Sequence, residues 1–243
     1  MKILGIETTS KISSVALLDG KRTVENFSRK TALRSEDLLR LIDAVLREGK
    51  TDLKEIDGIA VSIGPGSFTG TRVGVSSSRA LAQFLKKPLA GIVSLDCLAR
   101  GASGWHRVKG PFYICPVIDA LRGEVFTSVY RKTDTGFKRV TDYKLVKINE
   151  ILESGLFSDG LGLSRTCKVR GFPVVFTGDG VLIYRDMIYR KFKNRAVFFP
   201  PARLYPRGSD VAALGRGAIT GKKGVKYNGV LPLYIRKPPC AAK

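Results

Sequence analysis

The residues with most chemical potential are carboxylates that close short apolar runs. Glu7 ends the run Ile3 to Ile6 and leads into the polar turn Thr8-Thr9-Ser10-Lys11. Asp119 ends Tyr113 to Ile118 and leads into Ala120-Leu121-Arg122-Gly123. Such a strand-end carboxylate either holds a metal-bound nucleotide or caps the amides of its own turn. The loop after Asp119 lacks the paired glycines that let a phosphate approach the backbone, which argues against nucleotide hydrolysis. Gly178-Asp179-Gly180 has the outline of an adenosine-binding loop or of a bare turn. Glu7, Asp119, Gly178 and Asp179 are therefore the candidate cofactor-binding residues, each with a capping turn as the competing reading. No residue is assigned a catalytic role. Cys97, Cys115, Cys167 and Cys240 form no CxxC pair and His106 is the single histidine, so no metal site is expected.

The most specific stretch is Gly64-Pro65-Gly66-Ser67-Phe68-Thr69-Gly70-Thr71-Arg72-Val73-Gly74. Its glycines and the unpaired amides of a helix start suit either an anion or a tight strand-to-helix turn. It is not a Walker loop, because no Gly-Lys-Ser or Gly-Lys-Thr follows. Beyond it, Gly70, Gly74, Ser78 and Ala82 recur every four residues and form a ridge of small side chains for close packing, against the chain's own sheet or against a partner helix.

Charge points to polyanions. The 243 residues carry 42 Lys and Arg against 21 Asp and Glu, a net +21. Through Leu121 the balance is 18 bases to 12 acids and afterwards 24 to 9, so +6 precedes +15. Beyond Asp210 there is no acid, which makes Lys222, Lys223, Lys226 and Arg236 the RNA-binding candidates. Tyr184, Tyr189, Phe192, Phe198, Phe199 and Tyr205 interleave with arginines and lysines. They offer either base-stacking rings or core aromatics beneath a solvated basic face.

Several elements must position these residues. Ile3 to Ile6, Ser14 to Leu18 and Arg22 to Phe27 predict three antiparallel strands. Leu38, Leu41, Ile42, Val45 and Leu46 then recur at helical spacing, with Ser35 as N-cap and Gly49 as stop, and Leu39 widens the stripe. Ile56 to Ile63 predicts a buried parallel strand, Thr71 to Leu85 a second helix, and Leu89 to Val93 another strand. A weaker echo follows: strands Phe112 to Asp119 and Glu124 to Tyr130, a helix Ile148 to Leu156, a strand Val174 to Thr177 and a helix Asp210 to Thr220. The expected fold class is α/β: an actin-like, ribonuclease-H-like pair of lobes with mixed sheets, each opening with an antiparallel strand run. An ordinary doubly wound sheet is the alternative. The boundary is expected among the glycines of residues 101–110, giving lobes 1–108 and 109–243. Glu7 interrupts any signal-peptide core and no apolar run approaches the ~20 residues that span a bilayer, so a reduced cytoplasmic location is expected.

IETTS at the N-terminus, RSEDLL at 34–39, GPGSFTGTRVG, PLAGIVSLDCLA at 88–99, PVIDALRGEVF at 116–126, FTGDG at 176–180 and LPLYIR at 231–236 together resemble the TsaB family across nearly the whole chain. The resemblance implies an actin-like fold and a non-catalytic partner subunit of the bacterial machinery that places threonylcarbamoyl on the adenosine beside the tRNA anticodon. It implies a heterodimer with the catalytic paralogue TsaD, built largely from the two N-terminal-lobe helices, joined by the ATPase TsaE. Glu7 stands where these proteins often carry Asp, a spelling closer to TsaD, and Arg34 replaces a usual histidine. TsaD itself needs a histidine pair on one helix, and His106 is alone.

The combined expectation is a scaffold subunit, inactive alone, with no cofactor in the isolated chain and at most a nucleotide at the subunit junction. Its partner interface is expected at Leu38, Leu41, Ile42, Val45, Gly70, Gly74 and Ser78, a face that homodimerisation covers when the chain is alone. An actin-like ATP-dependent kinase, a peptidase and a plain RNA-binding module are the rivals.

Overall fold

The computed structural model describes residues 1–29, 34–153, 172–221 and 227–235. The described residues divide into two compact units, Met1–Cys97 with Tyr205–Tyr234, and Leu98–Leu204 with Ile235.

In the first unit, β1 (Lys2–Glu7), β2 (Ser13–Asp19) and β3 (Arg22–Ser28) form an antiparallel meander. After α1 (Ser35–Glu48), β4 (Gly58–Ser62) pairs with β1 in parallel. After α2 (Phe68–Leu85), β5 (Leu89–Ile92) pairs with β4 in parallel, giving the order β3-β2-β1-β4-β5. The α1 stripe is spent on this sheet: Leu38, Ile42, Val45 and Leu46 pack with Leu4, Ile6, Val15, Leu17 and Ile59. A fully buried leucine or valine there contributes about 1.5–3 kcal/mol. Arg34 rather than Ser35 holds the cap position of α1, its amide donating to Asp37 Oδ2 at 3.3 Å, and Gly49 closes the helix as expected.

α3 (Ser94–Ser103) carries the chain into the second unit, where β6 (Phe112–Asp119) is central. β7 (Glu124–Thr127), β8 (Tyr130–Thr133), β9 (Gly136–Arg139), β10 (Lys144–Lys147) and α4 (Ile148–Glu153) follow. Next come β11 (Val174–Thr177), α5 (Gly180–Phe192) and β12 (Ala196–Phe198). The sheet runs β10-β7-β6-β11-β12, with β8 also on β6 and β9 on β8. The single strand expected from Glu124 to Tyr130 is two, for a physical reason. β7 pairs with Val117 to Asp119 and β8 with Phe112 to Ile114, which leaves Pro116, a residue without an N–H, opposite the break. There Ser128 Oγ donates to the Thr141 carbonyl at 2.8 Å and the Val129 amide to Thr141 Oγ1 at 2.8 Å, replacing the lost ladder.

The boundary expected at 108/109 is corrected in two ways. The first unit ends at Cys97, and α6 (Gly208–Thr220) returns to it. The reason is close packing of α6 on the opposite sheet face from α1. Val211 and Ala212 pack with Ile3, Leu18, Ala60 and Ala90. A Cβ on Gly5 falls 2.2 Å from the Gly208 carbonyl oxygen, and one on Gly215 falls 2.2 Å from the Ala60 Cβ. Glu25 of β3 holds the leading turn of α6, accepting from the Ser209 amide at 3.1 Å and its hydroxyl at 2.9 Å, which places a carboxylate at the positive helix end.

Two substitutions separate packing from helix propensity. Gly215→Val forces a side chain into Ala60 and is expected to lower unfolding stability by about 1–3 kcal/mol. Gly217→Ala, where no atom lies within 4 Å, is expected to raise it by up to about 1 kcal/mol. Urea unfolding of both variants reads the difference.

Candidate functional site

The GPGSFTGTRVG stretch follows β4 and opens α2. Gly64 takes a φ of +96°, which suits glycine. The next glycines serve close approach. A Cβ on Gly66 falls 2.2 Å from the Thr9 carbonyl oxygen, one on Gly70 2.0 Å from the Thr8 carbonyl oxygen, and one on Gly74 2.2 Å from Thr8 Oγ1. The loop's polar groups are engaged within the chain. The Ser67 amide donates to the Thr9 carbonyl at 2.6 Å, Ser67 Oγ accepts from the Gly70 amide at 3.2 Å, and Thr8 Oγ1 donates to the Gly70 carbonyl at 2.8 Å. Of the two readings of this loop, the tight turn onto the chain's own strand is the one built.

That turn encloses a buried polar chain. Glu7 Oε1 accepts from the Thr9 amide at 2.5 Å and from the Thr9 hydroxyl at 2.6 Å. Thr9 Oγ1 lies 2.9 Å from Ser94 Oγ, which lies 2.9 Å from Ser62 Oγ. Because the Thr9 hydrogen is given to Glu7, Ser94 must donate to Thr9 and Ser62 to Ser94, so the hydroxyls all point toward the carboxyl. Burial pushes the Glu7 carboxyl above its ordinary range, against the opposing pull of the Thr9 hydroxyl and amide. Its second oxygen has no hydrogen-bond partner among the described residues. Glu7 is a capping carboxyl held toward its neutral form.

In the second unit, Asp119, Gly178 and Asp179 do come together. Asp179 Oδ1 accepts from the Asp119 amide at 3.1 Å, and Asp119 Oδ1 accepts from the Leu121 amide at 3.1 Å. Gly178 and Gly180 press on the Val117 carbonyl, where Cβ atoms would approach to 2.3 and 2.9 Å. Burial, with Asp119 beside it, raises the Tyr184 phenol. These residues form a packed turn in which the carboxylates accept backbone amides. No group of three His, Cys, Asp or Glu among the described residues is arranged for a metal ion. Cys97 and Cys115 are buried, and burial pushes the Cys115 thiol up to about 12. No described helix is long and apolar enough to cross a membrane.

The expected partner surface is corrected. Leu38, Ile42 and Val45 belong to the first unit's core, and Leu41 packs partly buried against it. Gly70, Gly74 and Ser78 are buried within the chain. The periodic residues are spent on folding, and the surface left on the same helices is different. Leu39 is 57% and Phe84 79% exposed, with Leu81 and Leu85 partly buried beside them. A groove of about 650 Å³ lies there, lined by Leu39, Leu46, Leu81 and the Asp43–Arg47 ion pair, whose Nε and Oδ2 are 3.0 Å apart. The sequence signal for this face was Leu39, one residue off the buried stripe, and Phe84 near the end of α2.

The aromatic and basic run resolves toward the core. Phe192 and Phe199 are buried, Phe176 lies 5.0 Å from Phe192 and 6.1 Å from Phe198, and Tyr189 alone of the six stays well exposed. Lys222, Lys223, Lys226 and Arg236 lie outside the described residues, as do Cys167 and Cys240.

Residues 31–236 match a family model described as TsaD, tRNA N6-adenosine threonylcarbamoyltransferase. The chain is 29% identical to the tRNA threonylcarbamoyladenosine biosynthesis protein TsaB of Bacillus subtilis, covering all of this chain and 97% of that one. It is 32% identical to the protein of the same name from Haemophilus influenzae, over 97% of this chain and 94% of that one. Among solved structures it resembles an uncharacterized Pseudomonas aeruginosa protein described as similar to peptidase YeaZ. That match has a TM-score of 0.79 at 24% identity and covers 97% and 99% of the two chains. This likeness supports the actin-like α/β fold.

The Glu7 network generates a pH prediction. A folded-state pKa above the unfolded value of about 4.3 makes the group's favourable contribution complete below that value. The contribution is then lost as pH rises toward the raised folded value, by at most about 1.4 kcal/mol per pH unit. Glu7→Gln is expected to remove this loss, so that the variant gains stability relative to the parent as pH increases. Thermal unfolding of both across a pH series checks it, and parallel curves contradict it.

Proposed function

Since this chain belongs to the TsaB family of tRNA threonylcarbamoyladenosine biosynthesis proteins, we propose that it serves that pathway as a non-catalytic subunit docking a TsaD-like catalytic paralogue through the outer face of α1 and α2. The observation that carries the docking surface is two exposed apolar side chains, Leu39, which lines the groove, and Phe84, three residues along α2 from the groove residue Leu81. Solvent-facing side chains of this size gain most by desolvation in a partner, with the Asp43–Arg47 pair at the rim fixing register. The chemical groups support a scaffold rather than a catalyst. Glu7 is enclosed and drawn into capping, Asp119 and Asp179 accept backbone amides, and His106 has no second histidine to pair with. The peptidase reading would need a nucleophile beside a base, and the kinase reading would need paired glycines facing a phosphate, which the loop after Asp119 lacks. A TsaE-like ATPase and tRNA are the further partners of the assembly under this reading, with any nucleotide held at the subunit junction.

Affinity for the paralogue is the direct readout. Leu39→Glu and Phe84→Glu are each expected to weaken heterodimer formation by about tenfold or more, because truncating or charging an interface anchor costs about 1–2 kcal/mol or above. Both side chains are exposed, so the unfolding midpoint should be preserved. Threonylcarbamoyl transfer should be absent from the isolated chain and should fall with heterodimer formation in the variants. Turnover by the isolated chain, or unchanged affinity in both variants, contradicts the proposal.

A further inference from the structure

The start of α2 carries an arrangement that docking through Leu39 and Phe84 does not use. Phe68 is 52% and Tyr234 42% exposed, and their ring centroids lie 5.4 Å apart at 38°. Arg72, one turn beyond Phe68, sets its guanidinium carbon 3.7 Å over the Phe68 ring centroid and donates its Nε–H to the Tyr234 hydroxyl at 3.0 Å. Tyr234 is anchored next door, where the Leu233 amide donates to the Ile63 carbonyl at 2.8 Å. Two exposed rings and a cation are thus fixed in place before any ligand arrives, which lowers the ordering cost of binding.

The surroundings favour a polyanion. Phe68 and Arg72 lie in a stretch, residues 58–95, without a single Asp or Glu, and Tyr234 lies in a second such stretch, residues 211–243. The first turn of α2 has no acid, and the whole chain carries +21. Aromatic rings and guanidinium planes stack on unpaired bases whatever the sequence, while a cation holds the adjoining phosphate. Of its five N–H donors, Arg72 gives the Nε–H to Tyr234, and the guanidinium's other donors can serve a phosphate.

We infer that Phe68, Arg72 and Tyr234 form a stacking platform for an unpaired base of single-stranded RNA, with Arg72 contacting the neighbouring phosphate. The inference rests on the proposed function only in its choice of RNA as the polyanion.

The test titrates the full-length chain with two probes over a salt series. One is an RNA hairpin with 2-aminopurine in its single-stranded loop, and the other is a blunt RNA duplex with the same number of phosphates. The expected result is quenching of the loop fluorophore and roughly tenfold tighter binding of the hairpin than of the duplex. Phe68→Ala and Tyr234→Ala should each cost the hairpin roughly tenfold while leaving duplex binding and the salt slope as they are. Tyr234→Phe keeps the ring but loses the hydroxyl that holds Arg72, and should cost the hairpin less than Tyr234→Ala does. Arg72→Gln should lower the salt slope by roughly 0.7–0.9.

Equal binding of hairpin and duplex by the parent overturns the inference, as does parental hairpin binding by both alanine variants. Alanine variants that keep the hairpin and lose the catalytic paralogue overturn it in favour of a protein contact. The Leu39 and Phe84 variants report on the paralogue alone, so the platform and the docking face can fail independently.

Discussion

The first unit depends on one contact: the backbone of α2's opening turns lies directly on the turn that follows β1. Gly66, Gly70 and Gly74 make it possible, because a Cβ at any of them would come within 2.0–2.2 Å of a Thr8 or Thr9 oxygen, far inside van der Waals contact. The contact fixes Thr8 through the Gly70 carbonyl and Thr9 through the Ser67 amide. With Thr9 fixed, the Glu7 carboxyl is enclosed, and Ser94 and Ser62 complete the hydrogen-bonded chain behind it. A buried polar network of this kind is tolerable only because its groups are nearly all satisfied, and the single orphan, Glu7 Oε2, coincides with the raised carboxyl.

The second sheet face obeys the same rule. Gly5, Gly208 and Gly215 let α6 settle onto β1 and β4, and Glu25 compensates the leading amides of that helix. The strand-end carboxylates Glu7 and Asp119 accept amides of the turns that follow them. Surface chemistry is displaced outward, to the apolar residues Leu39 and Phe84 on one side and the Phe68–Arg72–Tyr234 cluster at the start of α2.

Much of this was legible in the sequence. The meander, the α1 stripe and the parallel strands follow from hydrophobic period, and the glycine ridge of α2 announced close packing. Period alone could not say whether that ridge met the sheet or a partner, because spacing identifies a shared face and not what covers it. For the same reason Leu38, Ile42 and Val45 looked like an interface and proved to be core. The return of α6 to the first unit was invisible locally, since its partners Gly5 and Ala60 lie some 150 to 200 residues away in sequence. The break between β7 and β8 had a signal in Pro116, but reading it required knowing which residue lay across from it. The family resemblance supplied what pattern could not, namely the pathway.

The central claim is that the outer face of α1 and α2 contacts the catalytic paralogue while the glycine ridge serves the fold. Hydroxyl-radical footprinting of this chain, alone at monomeric concentration and in complex with that paralogue, reads the claim side chain by side chain. The account predicts strong protection of Leu39 and Phe84 on complex formation, with the reactivity of Leu182 and Ile183 in the second unit left unchanged. Undiminished oxidation of Leu39 and Phe84 in the assembled complex would contradict it.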